Sequence, residues 1–287
     1  MKKILIIFFM ILSTLSIDAK SSRNNINSII NDYKIDKNSV AISVRSLDSG
    51  KNMYALNEKM LMHPASVQKI LTVPAAINVL GRDYEFKTGI YKRNSEEYII
   101  KLSADPYLST NDLKKLVKNI NQHEIKTLYI DSSVVELKDW GEGWQWDDDM
   151  NLCMPRFNSY NLDKNIIKIT IVPDGEKTLI INPSKYPLVF INNVVISDKT
   201  DIKAARNASI SSNTIELSGT INKPVTISIP VNNLKHYFTI RLTQQLEDRN
   251  IYLKNQYMSQ KVNEEKLLEE ISHPVLYAVD DIFKNSN

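Results

Sequence analysis

Cysteine occurs once in the 287 residues, at Cys153, so the chain can close no disulfide within itself and the thiol is expected to be buried or simply spare. Glycine is scarce too. There are seven, none in a G-x-x-x-x-G-K pattern, which removes a phosphate-cradling loop from consideration. The four histidines, His63, His123, His236 and His273, stand apart with no ligand spacing, so neither a metal site nor a cofactor is expected. No stripe of Lys and Arg interleaved with aromatics runs through the chain, and the net charge is only +3, so nucleic acid is not an expected partner. Repeats and low-complexity linkers are absent as well.

Long apolar runs are also lacking. The most apolar stretch, Ile4 to Leu12, is shorter than the ~20 residues needed to span a bilayer, and Ser13, Thr14 and Ser16 interrupt its end. With Lys2-Lys3 before it and small or polar residues up to Ala19, residues 1–19 read as a secretory signal peptide cut near Ala19-Lys20. The alternative is an uncleaved anchor. Either reading sends the chain to the periplasm or cell envelope, and peripheral membrane association is compatible with both. What remains is ordinary in composition, 43% hydrophobic and 24% charged, and long enough for one to three domains.

Ser66-Val67-Gln68-Lys69 is the one S-x-x-K in the chain. Residues i and i+3 of a helix share a face, with Cβ atoms about 5–6 Å apart, so a neutral Lys69 could take the proton of Ser66 as its hydroxyl attacks a carbonyl. Two fixed residues recur by chance, and the context supplies the weight. Ile70, Leu71, Val73, Ala75, Ala76, Ile77, Val79 and Leu80 follow, so the helix is apolar nearly all round and is expected to be buried. Pro74 should kink it about two turns in. A second cluster, Trp144-Gln145-Trp146-Asp147-Asp148-Asp149, reads from composition as a solvated acidic loop held by two tryptophans.

Pro64-Ala65-Ser66-x-x-Lys69 followed by Leu80-Gly81-x-Asp83-Tyr84-x-Phe86-x-Thr88 resembles the low-molecular-mass class C penicillin-binding proteins, the D-alanyl-D-alanine carboxypeptidases/endopeptidases of peptidase family S13. Later segments match in order: Asp105-Pro106-x-Leu108, with Ser103 and Ala104 where glycines are usual; Ile130-Asp131-Ser132-Ser133; Gly143-Trp144-Gln145-Trp146-Asp147-Asp148; and Ser272-His273-Pro274-Val275 running into Lys284-Asn285-Ser286-Asn287. On this alignment Ser286 opens the family's S-x-N motif, and the expected asparagine and K-T-G strand lie beyond Asn287, a C-terminal truncation. Lys87-Thr88-Gly89 has the right letters but aligns with the stretch leading out of the catalytic domain.

The resemblance implies an α/β (α+β) fold, with a transpeptidase/β-lactamase-like serine acyl-transferase domain interrupted by an inserted α/β domain that itself carries a small all-β domain. The expected division is a signal peptide at 1–19, catalytic segments at 20–85 and 268–287, inserted segments at 86–165 and 232–267, and a nested β domain at 166–231. Strands are expected at Val40–Ser46, Asn52–Leu56, Tyr98–Lys101, Thr127–Ile130, Ile166–Val172, Leu179–Ile181, Leu188–Ile196, Ile215–Leu217 and Val225–Val231. Helical spacing recurs at Leu113, Leu116, Val117 and Ile120, at Leu234, Phe238, Leu242 and Leu246, and at Val275, Val279 and Ile282.

By the same resemblance Ser66 is the nucleophile, Lys69 its base, and Ser286 the shuttle to the leaving amine. Asp148 would hold the amino group of the substrate's diaminopimelate side chain, with Asp147 and Asp149 exposed. The implied substrates are peptidoglycan stem peptides, and β-lactams would trap Ser66 as inhibitors. Two alternatives stay open: a non-catalytic envelope protein that keeps the inserted domains and binds peptidoglycan, and, less well matched to the long insertion, a serine β-lactamase.

Overall fold

The computed structural model describes residues 24–135, 139–207, 212–255, 257–263 and 265–284. The proposed signal peptide and Ser286 lie outside them. The chain divides into two compact units, residues 1–71 and 72–287. No described helix is long and apolar enough to cross a membrane.

The first unit has a helix α1 (residues 24–32) and an antiparallel pair, β1 (Ile42–Arg45) and β2 (Asn52–Leu56), in register from Ile42 opposite Leu56. Its apolar interior is small: Ile30 and Tyr54 are its buried hydrophobics among the described residues. The Tyr54 hydroxyl donates to Asn27 Oδ1 at 2.8 Å, tying the sheet to α1, and the Asn57 amide donates to the carbonyls of Lys37 and Val40. A short 3₁₀ segment, Ala65–Gln68, leads into α2 (Lys69–Leu80).

The second unit begins with β3 (Glu85–Lys92) and β4 (Glu97–Lys101), followed by α3 (Thr110–Leu116), β5 (Glu124–Ile125) and β6 (Thr127–Asp131). Six strands come next: β7 (Ile166–Asp174), β8 (Lys177–Ile181), β9 (Val189–Ile196), β10 (Asp201–Arg206), β11 (Thr214–Ile221) and β12 (Val225–Pro230). The chain then returns through α4 (Leu234–Glu247), β13 (Tyr252–Leu253), β14 (Met258–Ser259), β15 (Lys266–Pro274) and α5 (Val275–Lys284). The central sheet is mixed, in the order β14-β6-β4-β3-β15, so it joins strands from both ends of the unit. β3 is antiparallel to both its neighbours, while β4, β6 and β14 run parallel.

Local chemistry explains the elements. Ile167, Ile169 and Ile171 of β7 are fully buried on one side while Lys168 is exposed, the period-two pattern of a half-buried strand. Each such isoleucine is worth about 1.5–3 kcal/mol of burial. Helix α3 starts at a capping box, in which Ser109 Oγ accepts from the Asp112 N–H and the Asp112 carboxylate accepts from the Ser109 N–H. On α4 the Asn233 side chain accepts from the His236 N–H. Strands β7, β8 and β12 form one three-stranded sheet, and β9, β10 and β11 another.

Several expectations need correction. The helix expected through Ile120 stops at Leu116 and tightens into a 3₁₀ turn at Val117–Asn119. Strands β3, β10 and β15 were not expected, and each mixes charged with apolar residues, which blurs the period. Lys87-Thr88-Gly89 falls inside β3, with the Thr88 side chain buried beside the Ser103 hydroxyl, so it is part of this sheet.

Candidate active site

Pro64 supplies a helical φ of −71° and Ala65 turns to φ +44°, a left-handed conformation that an alanine adopts only under constraint, at a cost of about 1–3 kcal/mol. The strain sits immediately before Ser66. From Ala65 to Gln68 the chain is 3₁₀, in which side chains at i and i+3 eclipse one another, and the Lys69 N–H donates to the carbonyls of Ser66 and Val67. Ser66 and Lys69 thus stand three residues apart, at the junction of the 3₁₀ segment with α2. Ser66 is exposed and Lys69 half-buried, so the hydroxyl is open to a substrate and the amine is only partly in water.

The helix that follows is not buried as expected. Val73 alone among its described residues is buried, while Ile70, Leu71 and Val79 are 59%, 67% and 80% exposed. Most of its apolar side chains are exposed, with Ala76 and Ile77 half-buried. Pro74 lies inside it, and the helix continues to Leu80.

Asp148 belongs to the second unit and is described there. It lies on a 3₁₀ turn, Trp146–Met150, and its Oδ2 accepts from the Gln145 N–H at 2.9 Å, which fixes the carboxylate. Oδ1 has no partner among the described residues, so a half-buried carboxylate with one open oxygen is available to a cation. Trp144 stacks edge-on against Trp140 at 5.3 Å, and the Arg156 guanidinium lies over the Trp140 ring.

Asp147 is exposed as expected, but Asp149 is not. Asp149 is buried at 5% exposure, paired through Oδ1 with Arg156 at 3.2 Å and through Oδ2 with the Arg206 Nε. Arg206 also donates to the carbonyls of Ser212 and Pro230. Two guanidinium groups thus draw Asp149 inward. Cys153, expected to be buried or spare, is exposed.

One polar cluster escaped the sequence. His273, beside Pro274 at the end of β15, has Nδ1 2.6 Å from Asp105 Oδ2 and Nε2 3.8 Å from Asp112 Oδ2. Burial pushes the Asp105 carboxyl above its ordinary range, an effect partly offset by bonds from His273 and the Tyr107 N–H. For Asp112 burial pulls the same way but is outweighed by Lys115 and Ser109, so its pKa is lowered. The Tyr107 hydroxyl donates to the Tyr277 carbonyl of α5 at 2.8 Å. Asp105 and His273 are 168 residues apart, which no local pattern could reveal.

The model of the D-Ala-D-Ala carboxypeptidase 3 (S13) family matches residues 22–287. The D-alanyl-D-alanine carboxypeptidase DacB of Haemophilus influenzae is 24% identical over 273 residues, 86% of this chain, and this chain spans 56% of that relative's length. The crystal structure of penicillin binding protein 4 (dacB) from Haemophilus influenzae matches with a TM-score of 0.69 at 22% identity, over 86% of this chain and 59% of that one. The same protein complexed with a novel beta-lactam matches with a TM-score of 0.62 at 20% identity, over 85% and 57%. The mixed α+β fold is therefore shared with that protein.

Proposed function

The chain belongs to the D-Ala-D-Ala carboxypeptidase 3 (S13) family, and from that premise we propose that it is a serine-type D-alanyl-D-alanine carboxypeptidase/endopeptidase of the cell envelope, acting on peptidoglycan stem peptides. The observation that carries the reading is the pairing of exposed Ser66 with half-buried Lys69 one 3₁₀ turn later, immediately after a strained alanine.

Ser66 Oγ attacks the carbonyl of the D-Ala-D-Ala bond and Lys69 takes its proton. The C–N bond breaks, the amine leaves with a proton delivered through Ser286, and water releases the acyl group from Ser66. A β-lactam ring opens on the same oxygen, leaving a covalent adduct. Asp148 meets the ammonium of the diaminopimelate side chain, a charge-assisted contact that fixes orientation as well as adding energy. In this reading the catalytic domain comprises residues 20–85 and 268–287, the insert 86–165 and 232–267, and the nested β domain 166–231. Residues 1–19 direct export to the periplasm, and mass spectrometry of the secreted protein should find a mature N-terminus at Lys20.

Incubation with a fluorescent penicillin tests the chemistry. The expected result is a covalent label on the wild-type chain that is absent from Ser66→Ala. Labelling that survives in Ser66→Ala overturns the assignment of Ser66, and absence of labelling that persists when the family's S-x-N and K-T-G segments are appended favours a non-catalytic envelope protein.

A further inference from the structure

A cavity of about 420 Å³ opens where the end of α3 meets the C-terminal end of α4, remote in sequence from Ser66 and Asp148. Lys114, Lys115, Lys118 and Arg249 line it, against a single carboxylate, Asp248. Lys115 is already engaged with Asp112 at 2.8 Å. Lys114 and Lys118 have no carboxylate partner among the described residues, and as like charges lining one cavity they repel one another.

Lysines at the end of a helix are commonplace, since they complement its dipole. The dipole does not account for two other groups. Gln245 is more than nine-tenths buried, lines the same cavity, and its amide has no hydrogen-bond partner among the described residues. Arg249 donates through Nη2 to the Ile120 carbonyl at 3.2 Å, while its Nε–H is buried without an acceptor. Buried polar groups left unpaired are costly and uncommon in folded proteins. Here the Arg249 Nε–H is buried without an acceptor, the Gln245 amide borders the same cavity without a partner among the described residues, and the ammonium groups of Lys114 and Lys118 flank them.

We propose that this cavity binds a small dianion, two phosphate or carboxylate groups joined by a short linker. One group would sit between the ammonium groups of Lys114 and Lys118, and the other would accept from the Gln245 amide and the Arg249 guanidinium. The shared chemistry is a pair of oxyanions within one turn of helix, about 5–6 Å.

Isothermal titration of the full chain with inorganic pyrophosphate and, separately, with glutarate tests the proposal and distinguishes the two anion chemistries. Binding of either probe is expected, weakened by about tenfold or more in Lys114→Gln/Lys118→Gln and by added salt. Tighter binding of pyrophosphate assigns the site to phosphates, and tighter binding of glutarate to carboxylates. Gln245→Met gives a second, independent readout. Replacing this cavity-lining amide with an apolar group of similar shape should weaken binding while leaving the Tm of the unliganded protein unchanged or higher. No binding of either probe at roughly millimolar concentration, or unchanged affinity in the double lysine variant, overturns the proposal.

Discussion

Asp147, Asp148 and Asp149 are consecutive carboxylates with three different surroundings: solvent, a half-buried turn and a buried pair of arginines. Asp149→Asn leaves Arg156 and Arg206 without their shared counter-charge, and removing one partner of a buried ion pair typically costs about 3–5 kcal/mol. Urea unfolding should show a loss of that size, against about 0.5 kcal/mol or less for Asp147→Asn. Equal stability of the two variants would sink the buried-pair account. Asp148→Asn tests the ammonium contact: turnover of diaminopimelate-containing stem peptide should fall while acylation by a simple penicillin changes little, and an equal loss on both would make Asp148 structural. Ser66 and Lys69 were legible in the sequence because their relation is local, three residues along one turn. The role of Asp149 was not, because Arg206 lies 57 residues away and three adjacent aspartates read alike until the fold distinguishes them.

Among the elements, runs of β-branched residues such as Ile166 to Val172 declared themselves, whereas β15, with Leu267, Leu268, Glu269 and Glu270 in succession, carries no strand period and is a strand only because β3 lies beside it. Asp131, at the end of β6, shows how such elements are pinned. Burial alone would raise its pKa, but the Val262 N–H, the Ser133 hydroxyl and N–H, and the nearby Lys101 charge outweigh it and hold the carboxyl below its ordinary value of 3.8. A depressed carboxyl contributes stability above its unfolded pKa and loses it as pH falls through the folded one. The Tm deficit of Asp131→Asn should therefore be full at neutral pH and shrink only below about pH 3.8; a deficit independent of pH would contradict the assignment. Gly219 on β11 sits at φ +104°, and a Cβ there would lie 2.0 Å from the Asp201 carbonyl oxygen on β10. Gly219→Ala should cost at least about 1–3 kcal/mol in the same urea assay, and a neutral result would mean β10 can shift freely.

At the scale of the whole molecule, apolar burial is unevenly divided. Ile30 and Tyr54 are the buried hydrophobics described before residue 72, while the large core runs from Ile90 to Ile251. Local stability follows buried contacts, so limited proteolysis should leave a resistant fragment within about residues 86–267 and digest the segment holding Ser66. Equal protection of both would show that the Ser66 segment is more firmly held than its burial implies. The long pairing of β3 with β15, fastened by the Asp105–His273 contact across 168 residues, also sets a timetable. At synthesis rates of about 5–20 residues per second, β3 waits roughly 10–30 s after its own synthesis before β15, the second of its two neighbours, exists. Throughout that interval its edge is open to other chains. Pairing with β4 covers one side of β3 at once, and the other side stays a template for pairing with another chain until β15 has been made.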